Sequence, residues 1–243
     1  MLKLSTNEIK LIKSLAQKKF RDESGLFIVE GEKMLSEAME SGFELVNSYY
    51  LEQIGPQQMS RISSLSSPSP CLAVLRIPKS DFEEKNLKKD GLYLALDSVR
   101  DPGNLGTIMR ICDWFGVDGI FASEDSVDQF NPKVVQSSMG AIFRKTIHYV
   151  NLKKVCSLFT KESLPIYGTF LDGNNFYSTE FKPHGLIVMG NESRGISKEM
   201  ADLCTHRLFI PSFSNGAHAE SLNVAVASAV IISEFKKRQY YEK

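Results

Sequence analysis

Asn104, Arg110, Glu192, Ser221 and Asn223 are the side chains whose types and settings could do chemistry, and they fall in three glycine- and polar-rich stretches. In DSVRDPGNLGTIMR (97–110), Gly103 and Gly106 allow a tight turn into a helix. Asn104 then sits where side-chain oxygens cap free N–H groups, with Arg110 about a turn and a half further on. A cap explains Asn104 equally well, and a lone arginine on a helix is commonly a surface charge. In MGNESRGIS (189–197), Gly190 and Gly195 bracket Glu192, whose carboxylate could hold a hydroxyl or an amino group. A plain turn with Ser197 capping the next helix explains the same residues. In IPSFSNGAHAESLN (210–223), Ser221 and Asn223 precede a helix and read, taken singly, as caps.

The elements that must position these loops alternate between strand and helix. LYLALDSV, GIFAS, TIHYV, IYGTF, LIVMG and RLFI are short apolar runs expected as strands. Between them lie helices from about Leu105 to Phe115, after Asn131–Pro132, near 152–162 and over SKEMADLC, and a long helix closes the chain. Strands alternating with helices predict a mostly parallel sheet covered on both faces. Ligand sites in such sheets lie at the carboxyl ends of strands, where the three stretches fall.

Upstream, residues 8–20 carry apolar side chains near helical spacing with lysines between them, predicting one amphipathic helix with a basic side. GLFIVEG reads as a strand, EKMLSEAMESG as a helix closed by Gly42, FELVNSYYL as a second strand, QQMSRISSLSS as a polar helix or loop and CLAVLRI as a third strand. The charged run DFEEKNLKKDG is the candidate linker, which sets expected domains at 1–89 and 90–243.

Lys+Arg and Asp+Glu each number 29, so the net charge is zero and any polyanion must meet a local patch. The first 25 residues offer one, with Lys3, Lys10, Lys13, Lys18, Lys19 and Arg21 against Glu8, Asp22 and Glu23; a solvated helix face explains it equally well. Cys71, Cys112, Cys156 and Cys204 form no CxxC pair, and the histidines show no HExxH spacing, so no metal is expected. The absence of GxxxxGK[ST] and GxSxG argues against a P-loop enzyme and a serine hydrolase. No run of about 18 apolar residues and no signal-like start is present, and a cytoplasmic protein is expected.

Taken in order, DPGNLGTIMRICDWFG, IVMGNESRGIS and IP…ESLNVAVASAVIISEF resemble the three motifs of the SpoU (TrmH-like) family of RNA 2′-O-ribose methyltransferases. NPKVVQSSMGAIFR (131–144) is similar to the family's segment before its central strand, so the resemblance spans nearly all of 91–243. The N-terminal part resembles the small α/β substrate-binding domain that many members carry. The fold this implies is α/β, a parallel-sheet trefoil-knot methyltransferase domain behind a smaller α/β RNA-binding domain. It also implies a homodimer through the catalytic domain, S-adenosylmethionine as cofactor and RNA as partner.

Position by position, Asn104 and Arg110 match the first motif's polar pair, Glu192 the second motif's acid, and Ser221 and Asn223 the third motif's Ser-Leu-Asn. Gly168, Thr169, Gly190, Ile210 and Leu222 match positions that line the cofactor pocket. The implied reaction is in-line attack of a ribose 2′-oxygen on a sulfonium methyl, without a metal. A guanidinium with a pKa above about 12 is a poor base, so Arg110 is expected to bind an RNA phosphate and stabilise the developing alkoxide, oriented by Ser221 and Asn223. Ribosomal RNA is the favoured substrate, with transfer RNA the alternative. A noncatalytic RNA-binding dimer would be expected to lack Asn104, Arg110, Glu192 or Asn223, and all are present. SFSNGAHA, between Pro211 and Glu220, is longer than the family's usual connection; His218 within it is given no role.

Overall fold

The computed structural model describes residues 3–79, 82–216 and 219–241. The chain forms two compact units, Met1–Lys79 with Asp128–Arg144, and Ser80–Val127 with Lys145–Lys243. Packing thus divides the chain at several points, where a single cut near Asp90 was expected, and it returns the 128–144 stretch to the first unit.

The first unit opens with α1 (Thr6–Ser14), α2 (Lys18–Ser24), β1 (Leu26–Glu30), α3 (Glu32–Glu40), β2 (Leu45–Tyr50), α4 (Leu51–Ile54), α5 (Pro56–Ile62) and β3 (Cys71–Arg76). Its sheet is antiparallel in the order β1-β3-β2. Ser5 starts α1 through a reciprocal capping box with Glu8. The single helix expected over 8–20 is two helices, because Leu15 ends α1 and Gln17 turns extended before α2. The side chain of Arg21 reaches back across this break, and its Nη1 donates to the Leu15 carbonyl at 2.7 Å.

Arg21 therefore does not belong to a basic surface. It is 2% exposed and paired with Asp128 at 2.5 Å. Lys18 and Lys19 pair with Asp22 and Glu23, so the positive side expected of this region shrinks to Lys3, Lys10 and Lys13. The segment from Asp128 also supplies Phe130 to Phe27 at 4.7 Å and Phe143 to Phe43 at 5.1 Å. Leu26 and Ile28 belong instead to a core with Ile9, Ile12, Leu15, Met59 and Ile62. With both faces covered, β1 is buried throughout, its closing Glu30 included, and its burial does not alternate.

The second unit runs β4 (Leu92–Leu96), α6 (Pro102–Trp114) and β5 (Gly119–Ala122). The chain then passes through the first unit by way of α7 (Pro132–Ser138). It returns as β6 (Ile147–Tyr149), α8 (Leu152–Lys161), β7 (Ile166–Asn175), β8 (Gly185–Met189), α9 (Lys198–Ala201), β9 (His206–Phe209) and α10 (Val224–Tyr241). Six strands form a wholly parallel sheet in the order β6-β5-β4-β8-β7-β9. Tyr93, Ala95, Phe121, Leu186 and Val188 share a core with Val155, Cys156 and Phe159 of α8, while α6 and α10 pack on each other.

The expected linker is packed where it is described: Phe82 sets its edge on Phe121 at 4.8 Å, and the Lys88 N–H donates to the Tyr93 hydroxyl at 2.7 Å. β7 is longer than IYGTF because it resumes pairing with β9 at Asn174 after an irregularity. Gly173 permits this, since a Cβ there would strike the backbone of Arg207 and Leu208.

Candidate active site at the carboxyl edge of the parallel sheet

β4 and β8 are neighbours although far apart in sequence, and register pairs Leu96 with Met189 at their carboxyl ends. The loops that follow, 97–101 and 190–197, therefore leave the sheet side by side. Strand order turns at this pair, since the chain goes on from β4 to β5 on one side and reaches β8 by way of β7 on the other.

Asp101, ahead of Pro102 at the first turn, caps α6 by accepting the Asn104 N–H at 2.8 Å. Asn104 is not the cap, and its amide side chain is free for other contacts. Its Nδ2 donates to Glu192 Oε1 at 3.1 Å, and its Oδ1 accepts from Asn223 Nδ2 at 2.9 Å. Asn223 does cap a helix: its Oδ1 accepts from the N–H groups of Ala225 and Val226 at 2.9 and 3.3 Å. That cap fixes the polarity of the whole chain. Backbone N–H groups demand an oxygen, so Asn223 must turn its NH₂ to Asn104, and Asn104 must turn its own NH₂ to the carboxylate.

Glu192 is held from every side. Oε1 also accepts from the Asp101 N–H at 3.1 Å, while Oε2 accepts from the Arg100 N–H at 3.4 Å and from Asn191 Nδ2 at 3.3 Å. Partial burial pushes its pKa up, but hydrogen bonds from its own N–H, the Asn104 amide and the Asp101 and Arg100 N–H groups outweigh that and hold it below the usual glutamate range. Glu192 is thus a standing anion whose lone pairs are occupied, poorly suited to accept a proton. The loop that carries it is a tight turn in which Asn191 and Gly195 exchange backbone hydrogen bonds at 2.9 Å. A Cβ on Gly190 would strike the backbone of Gly195 and Ile196, so the closure of this turn dictates that glycine. Ser197 caps α9, as expected.

The structure brings Asn104, Glu192 and Asn223 into one hydrogen-bonded chain, and it leaves Arg110 and Ser221 outside it. Both are exposed, and neither side chain has a hydrogen-bond partner among the described residues. Arg110 lies roughly 9 Å along α6 from Asn104, at 1.5 Å per residue. Ala217 and His218 lie outside the described residues. Sequence reasoning missed Asp101 and Asn191. The Asp-Pro pair at a helix start could have revealed the first. An asparagine whose side chain accepts from N–H groups two and three residues on, as Asn191 does, leaves no distinct trace in sequence.

The residues matched to a cofactor pocket follow three adjacent strands. Gly168 stands level with Val188 in the β7–β8 ladder, Thr169 pairs with Leu208 of β9, Gly190 follows β8, and Ile210 follows β9. Gly168 is explained by packing, since a Cβ would meet the Phe170 ring and Cys204 Sγ, and Thr169 Oγ1 is bonded to the Val188 carbonyl at 3.1 Å. Ile210 is partly buried and Leu222 is half exposed.

The model of the SpoU rRNA Methylase family matches residues 91–233, and that of the MRM3-like substrate binding domain matches residues 6–82. The chain belongs to the SpoU family. The 23S rRNA (guanosine(2553)-2′-O)-methyltransferase RlmP of Bacillus subtilis (strain 168) is 27% identical over 241 residues, covering 93% of this chain and 94% of that protein. A solved structure of a TrmH-family protein from Porphyromonas gingivalis is 35% identical with a TM-score of 0.85, covering 98% of this chain and 100% of that one. An AdoMet-bound rRNA methyltransferase from Sinorhizobium meliloti is 27% identical with a TM-score of 0.85, covering 99% and 97%.

As a SpoU methylase the chain is a methyltransferase that uses S-adenosylmethionine. Its candidate site fits that cofactor in chemistry. Ile210, just past β9, and Leu222, just ahead of α10, are apolar side chains of the kind such a cofactor needs, and a carboxylate such as Glu192 suits a cationic sulfonium. No helix among the described residues is long and apolar enough to cross a membrane.

Proposed function

We propose that the protein methylates the 2′-oxygen of a ribose in ribosomal RNA, with Asn104, Arg110, Glu192, Ser221 and Asn223 as its reaction site. The observation that carries this reading is the polarised chain from Asn223 through Asn104 to Glu192, set at the carboxyl edge of the sheet in a SpoU methylase. S-adenosylmethionine, when bound by Gly168, Thr169, Gly190, Ile210 and Leu222, supplies a methyl already activated by its positive sulfur. The protein's own task is to align the ribose and stabilise the oxygen as its proton passes to solvent water.

Arg110 has the free fork for that task. It takes the RNA phosphate beside the target and stabilises the developing alkoxide through its planar fork of charged donors. Ser221, exposed beside Asn223, orients the ribose hydroxyl. Glu192 keeps Asn104 turned one way and takes no proton itself.

In this reading the first unit, 1–79 with 128–144, binds RNA, and the second, 80–127 with 145–243, is the catalytic domain, threaded as a trefoil knot. The ribosomal substrate is supported by the B. subtilis and S. meliloti relatives, which are named as rRNA methyltransferases. A homodimer through the catalytic domain is supported by Trp114, 85% exposed on α6, and Val226, 50% exposed on α10, apolar surface that a second copy would cover. The setting is cytoplasmic.

The test is methylation of total RNA by the pure protein with labelled cofactor, followed by mapping of ribose methyls. Label in ribosomal RNA is expected, and label confined to transfer RNA would contradict the substrate. Arg110→Lys keeps the charge and loses the fork, so turnover should fall by most of its value. Near-normal turnover would contradict the geometric role given to Arg110.

A further inference from the structure

We propose that Asp125 is a positioning residue for methyl transfer, acting through Ser98 and Arg100 on the Glu192–Asn104 pair. It touches none of the residues placed at the reaction, and the inference rests on the reading of the site given above.

The geometry forms a rail from 98 to 101. Ser98 is held at φ +61°, a conformation that L-residues other than glycine, asparagine and aspartate seldom adopt. Three hydrogen bonds hold it there. Its N–H donates to Ser123 Oγ at 2.8 Å, its Oγ donates to Asp125 Oδ2 at 2.6 Å, and its carbonyl accepts from Asn191 Nδ2 at 2.7 Å. Asp125 also accepts from Arg100 Nη2 at 2.8 Å and from Ser123 Oγ at 2.7 Å. These bonds hold its carboxyl far below the usual range, so it is charged wherever the protein is folded and active.

Downstream of these anchors the rail delivers two results. The Arg100 and Asp101 N–H groups meet Glu192, and the Asp101 carboxylate caps α6 at Asn104. The bond from Asn191 to the Ser98 carbonyl ties the Glu192 loop to the same point. An over-determined strained residue next to a site is a recurrent device for preorganisation. Here the strain stands directly upstream of two N–H groups that must converge on one carboxylate.

A role in stability alone and a role in positioning make different demands on two variants. Asp125→Asn keeps the shape and weakens the hold on Ser98 and Arg100. Ser98→Gly relaxes the left-handed backbone but deletes the Oγ bond, so it separates backbone strain from positioning. Each should lower kcat about 10-fold while KM for RNA and for S-adenosylmethionine stays within about 2-fold, the pattern of an interaction felt in the transition state. The double variant should lose little more than either single one, because both break the same contact.

In the same proteins, the Asn104 and Asn191 side-chain amide signals in ¹⁵N–¹H spectra should shift, although Asp125 touches neither. Wild-type kcat in either single variant, multiplying losses in the double, or a raised KM for RNA at unchanged kcat would overturn the proposal. Unmoved amide signals would overturn it whatever the turnover. A wild-type protein that methylates no RNA would instead count against the reading of the site, and the amide signals would still decide the role of Asp125.

Discussion

Two carboxylates, one in each compact unit, are held in opposite ways. Asp128 is answered by a full charge, with Arg21 Nε and Nη2 on its Oδ2 at 2.9 and 2.5 Å, and both partners are largely withdrawn from water. Glu192 is exposed and is answered by neutral donors, three backbone N–H groups including its own and two amides. The first arrangement cancels its charge and serves packing, because it ties the 128–144 stretch onto α2. The second keeps its charge while fixing its direction, as a site requires when a cationic cofactor and a developing anion must be told apart. Net charge held by dipoles, more than depth of burial, separates the carboxylate proposed to act at the site from the structural one.

The largest effect that would break this comparison is expected in the first unit. Arg21→Met leaves Asp128 buried and uncompensated and should cost about 3–5 kcal/mol of stability, read by urea denaturation. A loss below about 1 kcal/mol, the range of exposed pairs, would make Asp128 no more structural than a surface charge. Next in size, Asn104→Asp removes the donor to Glu192 and sets two carboxylates together. Turnover should fall about 100-fold, as when one oriented donor is removed, while the melting temperature changes little. Equal losses of stability in the two experiments would erase the distinction.

The smallest effect is a pH dependence. The native pKa of Glu192 lies below its ordinary value of 4.5, so its stabilising contribution is fully present above that value and is lost as pH falls through the native pKa. Stability of the wild type relative to Glu192→Gln should therefore shrink only below about pH 4.5 and stay flat from there to neutrality. A difference that changes between pH 6 and 8 would mean that Glu192 titrates where the enzyme works.

Much of the fold is legible in the amino-acid sequence. The apolar runs at 92–96 and 185–189 mark two central strands, because a parallel strand buried on both faces is legible as composition, and the polar stretches after them mark the candidate site. The meeting of Asn104, Glu192 and Asn223 came from resemblance, since no local pattern brings together residues some 90 and 120 positions apart. The fate of 128–144 was hidden for the same reason: Phe130 and Phe143 look like any core aromatics until Phe27 and Phe43 are set against them. Arg21 misled for a chemical reason. Its place among lysines marked it as surface, and only a distant Asp128 makes its burial tolerable.

The most direct test of the central claim is a carboxyl ¹³C titration of Glu192 in the intact protein, assigned by Glu192→Gln. A midpoint below 4.5 is predicted, with the Asn104 side-chain amide signals moving at the same midpoint. A midpoint at or above 4.5, or amide signals indifferent to the titration, would contradict a fixed anion that orients the site.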